Sequence, residues 1–203
     1  MQLRGRVRGA TNSEIASEAN QEIVVVSGLP RSGTSMMMQM LAAGGLPALS
    51  DGARTPDAAN PRGYYEWEPA RALFREPAAI AAARGRAVKV ISALLPALAP
   101  EHRYRVLLME RDLDEVAASQ RAMLAADDGV GPAEFARHLA RTRAWLAAQP
   151  QVATLAVAYR DALAEPRATA ERVRAFLGLP LDAAAMAAAV DPALYRVRSR
   201  RSS

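Results

Sequence analysis

The sequence contains no cysteine. Disulfides, thiolate metal sites and cysteine nucleophiles are excluded with it. No apolar run approaches the ~20 residues needed to cross a bilayer, so no membrane span is expected. Histidine occurs twice, at His102 and His138. His102 lies between Pro100 and an apolar run, and His138 sits within an amphipathic pattern. Both read as incidental to catalysis. Arg4, Arg6 and Arg8 open the chain without an apolar stretch behind them, so the N-terminus does not read as a secretory signal.

What the sequence does contain is enough apolar material for a core. Of 203 residues, 51% are apolar and 23% charged, the balance of a globular domain. Residues 1–21 are polar, with glycine and serine, and are expected to be a poorly ordered lead-in. Residues 22–195 are expected to form one domain, and 196–203 a basic tail. The formal charge of +5 comes mostly from arginine and favours anionic ligands. The arginines of the two ends, including Arg196, Arg198, Arg200 and Arg201, read as solvated, and no nucleic-acid module is visible. Nucleic acid is therefore not an expected partner. A cytoplasmic location fits the absence of cysteine, and the oligomeric state is not readable.

Strands and helices alternate along the chain. Ile23 to Val26 is a β-branched run ending at Ser27-Gly28, the pattern of a buried parallel strand. A helix is predicted from Ser32 to Ala43, stopped by Gly44-Gly45. Residues 46–63 read as an irregular excursion rich in Gly, Pro, Asp and Asn. A helix over Glu68 to Ala83 follows, then strands at Ala87 to Ile91 and Tyr104 to Met109. Further helices are predicted over Asp112 to Ala125 and Pro132 to Gln149, where Phe135, Leu139, Thr142 and Leu146 share a face. Val152 to Ala158 is a fourth strand. Helices over Pro166 to Leu177 and Asp182 to Val190 complete the chain. The expected fold is α/β: a three-layer P-loop fold with a central parallel sheet flanked by helices.

Gly28-Leu29-Pro30-Arg31-Ser32-Gly33-Thr34-Ser35 has the spacing of a phosphate-cradling loop, placed directly after a strand and opening a helix. Backbone N–H groups of such a turn converge at the positive end of a helix dipole, where they meet an anion. Arg31 can add a charge-assisted contact. Thr34 stands where an ATPase or GTPase loop carries lysine, which argues against a nucleoside triphosphatase.

These residues resemble the sulfotransferase superfamily, which uses 3′-phosphoadenosine 5′-phosphosulfate (PAPS). Pro30-Arg31-Ser32-Gly33-Thr34-Ser35 is similar to that family's loop. Arg111 and Ser119, eight positions apart, are similar to its second signature, an arginine closing a strand and a serine in the following helix. Val157-Ala158-Tyr159-Arg160-Asp161-Ala162-Leu163 resembles a third segment, followed by Glu165-Pro166 and Phe176-Leu177-Gly178-Leu179-Pro180. The resemblance spans residues 23–180 in the family's order. It implies that Arg31, Ser32, Gly33, Thr34 and Ser35 hold the 5′-phosphosulfate and that Arg111 and Ser119 hold the 3′-phosphate. It also implies that Tyr159 lies near the adenine. Taken alone, Arg111 fits an ion pair with Asp114 or Glu115 equally well, and Ser119 fits a plain helix hydroxyl.

The sequence departs from many family members in two places. Arg31 replaces a lysine, so it suits an electrostatic clamp on the leaving phosphate better than a proton donor. In Lys89-Val90-Ile91-Ser92-Ala93-Leu94-Leu95-Pro96, which resembles a K-x-H-L-P segment, Ile91 stands at the histidine's place. Another group carries N-P-x-G-[YF]-x-E, similar to Asn60-Pro61-Arg62-Gly63-Tyr64-Tyr65-Glu66. Glu66 is the candidate general base on that resemblance, with Glu68 and Asp57 as rivals. Lys89 is a candidate for stabilising charge on the transferring group. Met36, Met37, Met38 and Met40 read as core packing that partly lines an apolar pocket, and Tyr64 and Trp67 can line an acceptor site.

The expected function is transfer of a sulfuryl group from PAPS to a small-molecule or carbohydrate hydroxyl or amine, leaving 3′-phosphoadenosine 5′-phosphate (PAP). No metal is demanded. The alternatives are a P-loop nucleotide kinase or hydrolase, or a non-catalytic relative that keeps nucleotide binding.

Overall fold

The computed structural model describes residues 22–52, 63–124 and 131–194. The predicted lead-in and basic tail lie outside these residues, as do Asp57 and Asn60 to Arg62.

Among the described residues four strands, β1 (Ile23–Gly28), β2 (Ala87–Lys89), β3 (Tyr104–Glu110) and β4 (Val152–Ala158), form one parallel sheet in the order β2-β1-β3-β4. Val25 sits opposite Val88 on one side and opposite Val106 on the other. Every residue of β1 is buried, as expected for a central strand flanked by strands and covered on both faces.

The alternation of side chains sorts the strands' residues into two cores. Val24, Val26, Leu107, Met109 and Val157 face one side. There they meet α1 (Thr34–Ala43), α5 (Tyr159–Ala164), α6 (Pro166–Leu177) and α7 (Ala183–Ala188). Ile23, Val25, Val88, Val106 and Leu108 face the other side. Their partners include the 3₁₀ turns Pro77–Ala83 and Ser92–Ala97 and the end of α4 (Pro132–Ala147). A smaller cluster joins Leu29 to Val116 of α3 (Leu113–Leu124) and to Phe135 and Leu139 of α4. The architecture is the expected α/β layering. Among the described residues no helix is long and apolar enough to cross a membrane.

Several boundaries differ from the sequence pattern, each for a local reason. The helix expected over Glu68 to Ala83 is two pieces: α2 (Glu68–Arg71) and the 3₁₀ turn Pro77–Ala83. Pro77 has no N–H to donate and biases the residue before it away from the helical region. Glu76 accordingly sits at φ −133°, ψ 65°. The first helix begins at Thr34, not Ser32, because Arg31 (φ 73°) and Gly33 (φ 99°) are left-handed. The second strand ends at Lys89, although Val90 N–H still donates to the Val26 carbonyl at 3.0 Å. Asp182 caps α7, accepting from the amides of Ala184 and Ala185. The helix Tyr159–Ala164 has no counterpart in the expected elements.

Tyr104 pins the start of β3. It is 1% exposed, and its hydroxyl donates to the Ala99 carbonyl at 2.7 Å. Burial, aided by the charge of Glu101, pushes its phenol well above the usual tyrosine range. In the unfolded chain a tyrosine loses its proton near ~10, whereas the folded chain retains this one to higher pH. The contribution is therefore complete below about pH 10 and declines as pH rises from there, by up to ~1.4 kcal/mol per pH unit. Tyr104→Phe is expected to flatten that decline. Urea midpoints measured on both sides of pH 10 check it, and parallel curves for the two proteins contradict it.

Candidate active site

The connection from β1 leads to β2 on one side, while β3 lies on the other. The carboxyl ends of β1 and β3 therefore border a switch point, the place where open α/β sheets hold ligands. The 28–35 loop leaves β1 there, and Arg111 leaves β3 there.

The loop is shaped by two glycines. A Cβ on Gly28 would lie 2.7 Å from the Met109 carbonyl and would collide with Ser32 Oγ. A Cβ on Gly33 would enter the Tyr159 ring, 2.9 Å from Cε2. The backbone turns tightly between them: Ser32 N–H donates to the Leu29 carbonyl at 3.1 Å. Among the described residues no side chain caps the helix that follows. Its first amides, those of Thr34, Ser35 and Met36, have no partner within the helix, by the geometry of any α-helix start. Ser32 Oγ is buried and has no hydrogen-bond partner among the described residues. An orphaned hydroxyl beside uncapped helix amides fits an anion ligand that would satisfy both. Because the Ser32 amide closes the turn, its side chain is the better placed group of that residue.

Distant parts of the chain meet on this loop. Arg31 Nε donates to Ser119 Oγ at 3.0 Å. The two Nη groups of Arg31 have no partner among the described residues. Arg111 Nη1 donates to the Arg31 carbonyl at 3.2 Å. Arg111 Nε pairs with Glu115 Oε2 at 2.8 Å, with both side chains buried. Gln120 reaches the Pro30 carbonyl at 3.0 Å. Sequence reasoning grouped Arg111 with Ser119. In the structure Arg31 holds Ser119 while Arg111 holds Glu115, the ion pair the i,i+4 spacing allows.

Tyr159 forms the floor. The Arg111 guanidinium lies 4.8 Å from its ring centre, a cation–π contact. Burial raises its phenol pKa, outweighing the opposing pull of Arg111 and Arg31, and Glu115 adds to the rise. The ring therefore stays neutral at physiological pH.

A cleft of about 520 Å³ opens from the loop toward β2. Arg31, Gly33, Thr34, Ser35, Arg111 and Tyr159 border one end. Glu66, Lys89, Trp67 and Ile91 border the other. Lys89, the chain's only lysine, donates to the Tyr64 carbonyl. The Ser35 hydroxyl reaches the same carbonyl at 3.5 Å. Glu66 is ion-paired with Arg71, which also approaches Glu68 at 3.6 Å. Of the methionines, Met36 borders the cleft while Met37, Met38 and Met40 are fully buried. The histidines lie elsewhere: His102 contacts Arg84 at 3.2 Å, and His138 contacts Ser92 Oγ at 2.8 Å.

Sequence reasoning missed three polar members of this cleft: Arg71, Gln39 and Asp191. Arg71 ends α2 and reaches back to Glu66 ahead of the helix; its i,i+3 spacing from Glu68 was the available signal. Asp191 arrives from beyond α7, where its carboxylate also accepts from the Ala193 amide at 3.0 Å. Nothing in its local sequence marks it.

No family model matches the sequence, and no curated protein does. Solved structures match by fold. The sulfotransferase domain of the Synechococcus PCC 7002 olefin synthase aligns over 100% of this chain and 94% of its own, with TM-score 0.50 and 18% identity. A sulfotransferase domain from the curacin biosynthetic pathway aligns over 85% of this chain and 88% of its own, with TM-score 0.46 and 14% identity. An unliganded sugar kinase from Janibacter sp. HTCC2649 aligns over 86% and 98%, with TM-score 0.41 and 18% identity. The chain thus has a sulfotransferase-like α/β fold, carried by the olefin synthase domain.

Proposed function

We propose that this protein transfers a sulfuryl group from PAPS to a hydroxyl or amine acceptor. The observation that carries the reading is the meeting of three separate motifs on one loop: Arg31 on Ser119, Arg111 on the Arg31 backbone, and the Tyr159 ring against Gly33 and Arg111. Each motif alone has an ordinary structural explanation. Their convergence beside an orphaned serine hydroxyl and an uncapped helix start suits a ligand with two phosphates.

When bound, PAPS supplies the sulfuryl group, whose bond to the 5′-phosphate oxygen breaks as the acceptor oxygen or nitrogen bonds to sulfur. The chain's own groups then have distinct tasks. The amides at the start of α1 and the Arg31 guanidinium neutralise charge gathering on the leaving phosphate. Ser32, Gly33, Thr34 and Ser35 shape and line that cradle. Arg111 and Ser119 hold the 3′-phosphate, and Tyr159 supports the adenine end. Glu66 takes the acceptor's proton on a carboxylate oxygen. Lys89 stabilises charge on the transferring group. Thr34 at the lysine position distinguishes the loop from that of a nucleoside triphosphatase.

Glu66→Gln keeps the shape of the side chain and removes the base. It is expected to lower turnover of sulfur-labelled donor by about 10²–10⁴-fold, the usual contribution of general base catalysis. PAP affinity, set at the opposite end of the cleft, is expected to be unchanged. Full turnover in this variant sinks Glu66 as the base, and Asp191 becomes the carboxylate to replace next.

A further inference from the structure

The cleft has two unlike ends, and the sheet order explains why. The β1 and β3 ends contribute Arg31 and Arg111, whereas the β2 end contributes Lys89, Ile91 and, from the turn after it, Leu94. Trp67 and Ala70 come from the 64–71 segment, and Met36 from α1. The β2 end is therefore walled by apolar side chains. Ile91 is 38% exposed there, one of two large hydrophobic residues so exposed among the described residues. The other, Phe74, follows α2, which bears Ala70.

We infer that the acceptor is an alcohol with an apolar body, alkyl or aryl, seated on Met36, Trp67, Ala70, Ile91 and Leu94. The inference rests on the sulfuryl-transfer reading above and names its acceptor class. The charged groups at this end are gathered by contact. Arg71 is on Glu66, and Lys89 is on the carbonyl of Tyr64, two residues before Glu66. One such cluster suits one reacting hydroxyl. A sugar presents hydroxyls around its whole ring, and each one pressed against this wall would lose water without gaining a partner. An apolar body gains instead, because Ile91 and its neighbours leave water together with it. Isoleucine at position 91 thereby acts as a specificity residue: it supplies contact where a polar side chain would supply a hydrogen bond.

The test uses straight-chain primary alcohols from propanol to heptanol, with glucose as the polar comparison. Their dissociation constants are measured by saturation-transfer NMR on the full chain saturated with PAP. Affinity is expected to rise about two- to fourfold for each added methylene, with no saturable glucose binding. Ile91→Asn, at an exposed position that tolerates exchange, is expected to weaken heptanol about fivefold and leave PAP affinity unchanged. A flat alcohol series, or glucose binding tighter than heptanol, overturns the inference while leaving the donor reading intact. Failure of PAP to bind in the same samples refutes the donor reading instead. The alcohol series on the free protein still decides whether this wall is an apolar binding site.

Discussion

Replacing Arg111 by alanine is expected to cost about 3–5 kcal/mol of folding stability, more than any other single truncation at the site. The reason is what it leaves behind. Glu115 is 4% exposed, and Arg111 Nε at 2.8 Å is its charge partner. Removing the guanidinium takes this charge partner from a buried carboxylate and strips the cation from above the Tyr159 ring. It also frees the Arg31 carbonyl, which Arg111 Nη1 now engages. The double variant Arg111→Ala with Glu115→Ala removes both charges together, and it is expected to recover most of the loss. Urea unfolding of the parent, both single variants and the double variant forms a cycle that measures the coupling. Additive losses would contradict a buried ion pair. The double variant also serves function: folded but lacking Arg111, it is expected to bind PAP at least about tenfold more weakly, the worth of a charge-assisted hydrogen bond.

Gly33→Ala is expected to damage both stability and donor binding. Its φ of 99° is strained for any side chain, and the new Cβ would enter the Tyr159 ring. Strain and overpacking together cost about 2–5 kcal/mol. Relief by moving Tyr159 would disturb the ring beneath Arg111; relief by moving the loop would turn the first amides of α1. Either route displaces anion-binding groups. Thermal unfolding and PAP titration are therefore expected to fall together. A variant with parental melting temperature and parental PAP affinity would show that the Gly33–Tyr159 contact is not close-packed. Tyr159→Ala is costly by itself, because it empties a buried site, but it removes the ring the methyl would meet, so the losses of the two substitutions are expected to be less than additive.

Much of this fold was legible in the sequence because burial wrote it there. Ile23 to Val26 is β-branched, and β1 proves buried on both faces. Pro166 and Gly178 bracket α6 as a first-turn proline and a left-handed C-terminal glycine should. Where alanine dominates, the signal fades, since alanine suits helix, turn and surface alike. The segment from Glu68 to Ala83 is the example: only Pro77 betrayed the break, and helix propensity outvoted it. Tyr159 to Ala164 was read for its motif and its helix was overlooked.

The residues that meet at the switch point were legible in the sequence, but their pairing was not. Arg31, Arg111, Ser119 and Tyr159 all reach the switch point. Which arginine holds Ser119 depends on contacts spanning 88 residues, and no local pattern encodes those. Glu66 was singled out by a resemblance, whereas its partner Arg71 was not sought. Asp191 enters the cleft from the far end of the chain with no motif around it. Ile91, first noticed for a missing histidine, proves to be an exposed apolar wall of the cleft.

In the proposed site, the loop after β1 and the end of β3 surround one ligand that carries a 5′-phosphate and a 3′-phosphate. Isothermal titration with PAP, in the presence of a magnesium chelator, is the decisive measurement. The expected result is saturable one-to-one binding, lost when the 3′-phosphate is absent, as in adenosine 5′-monophosphate. No binding at about 1 mM PAP, an affinity weaker than about −4 kcal/mol, would contradict it. Equal binding of the two nucleotides would contradict the role given to Arg111 and Ser119.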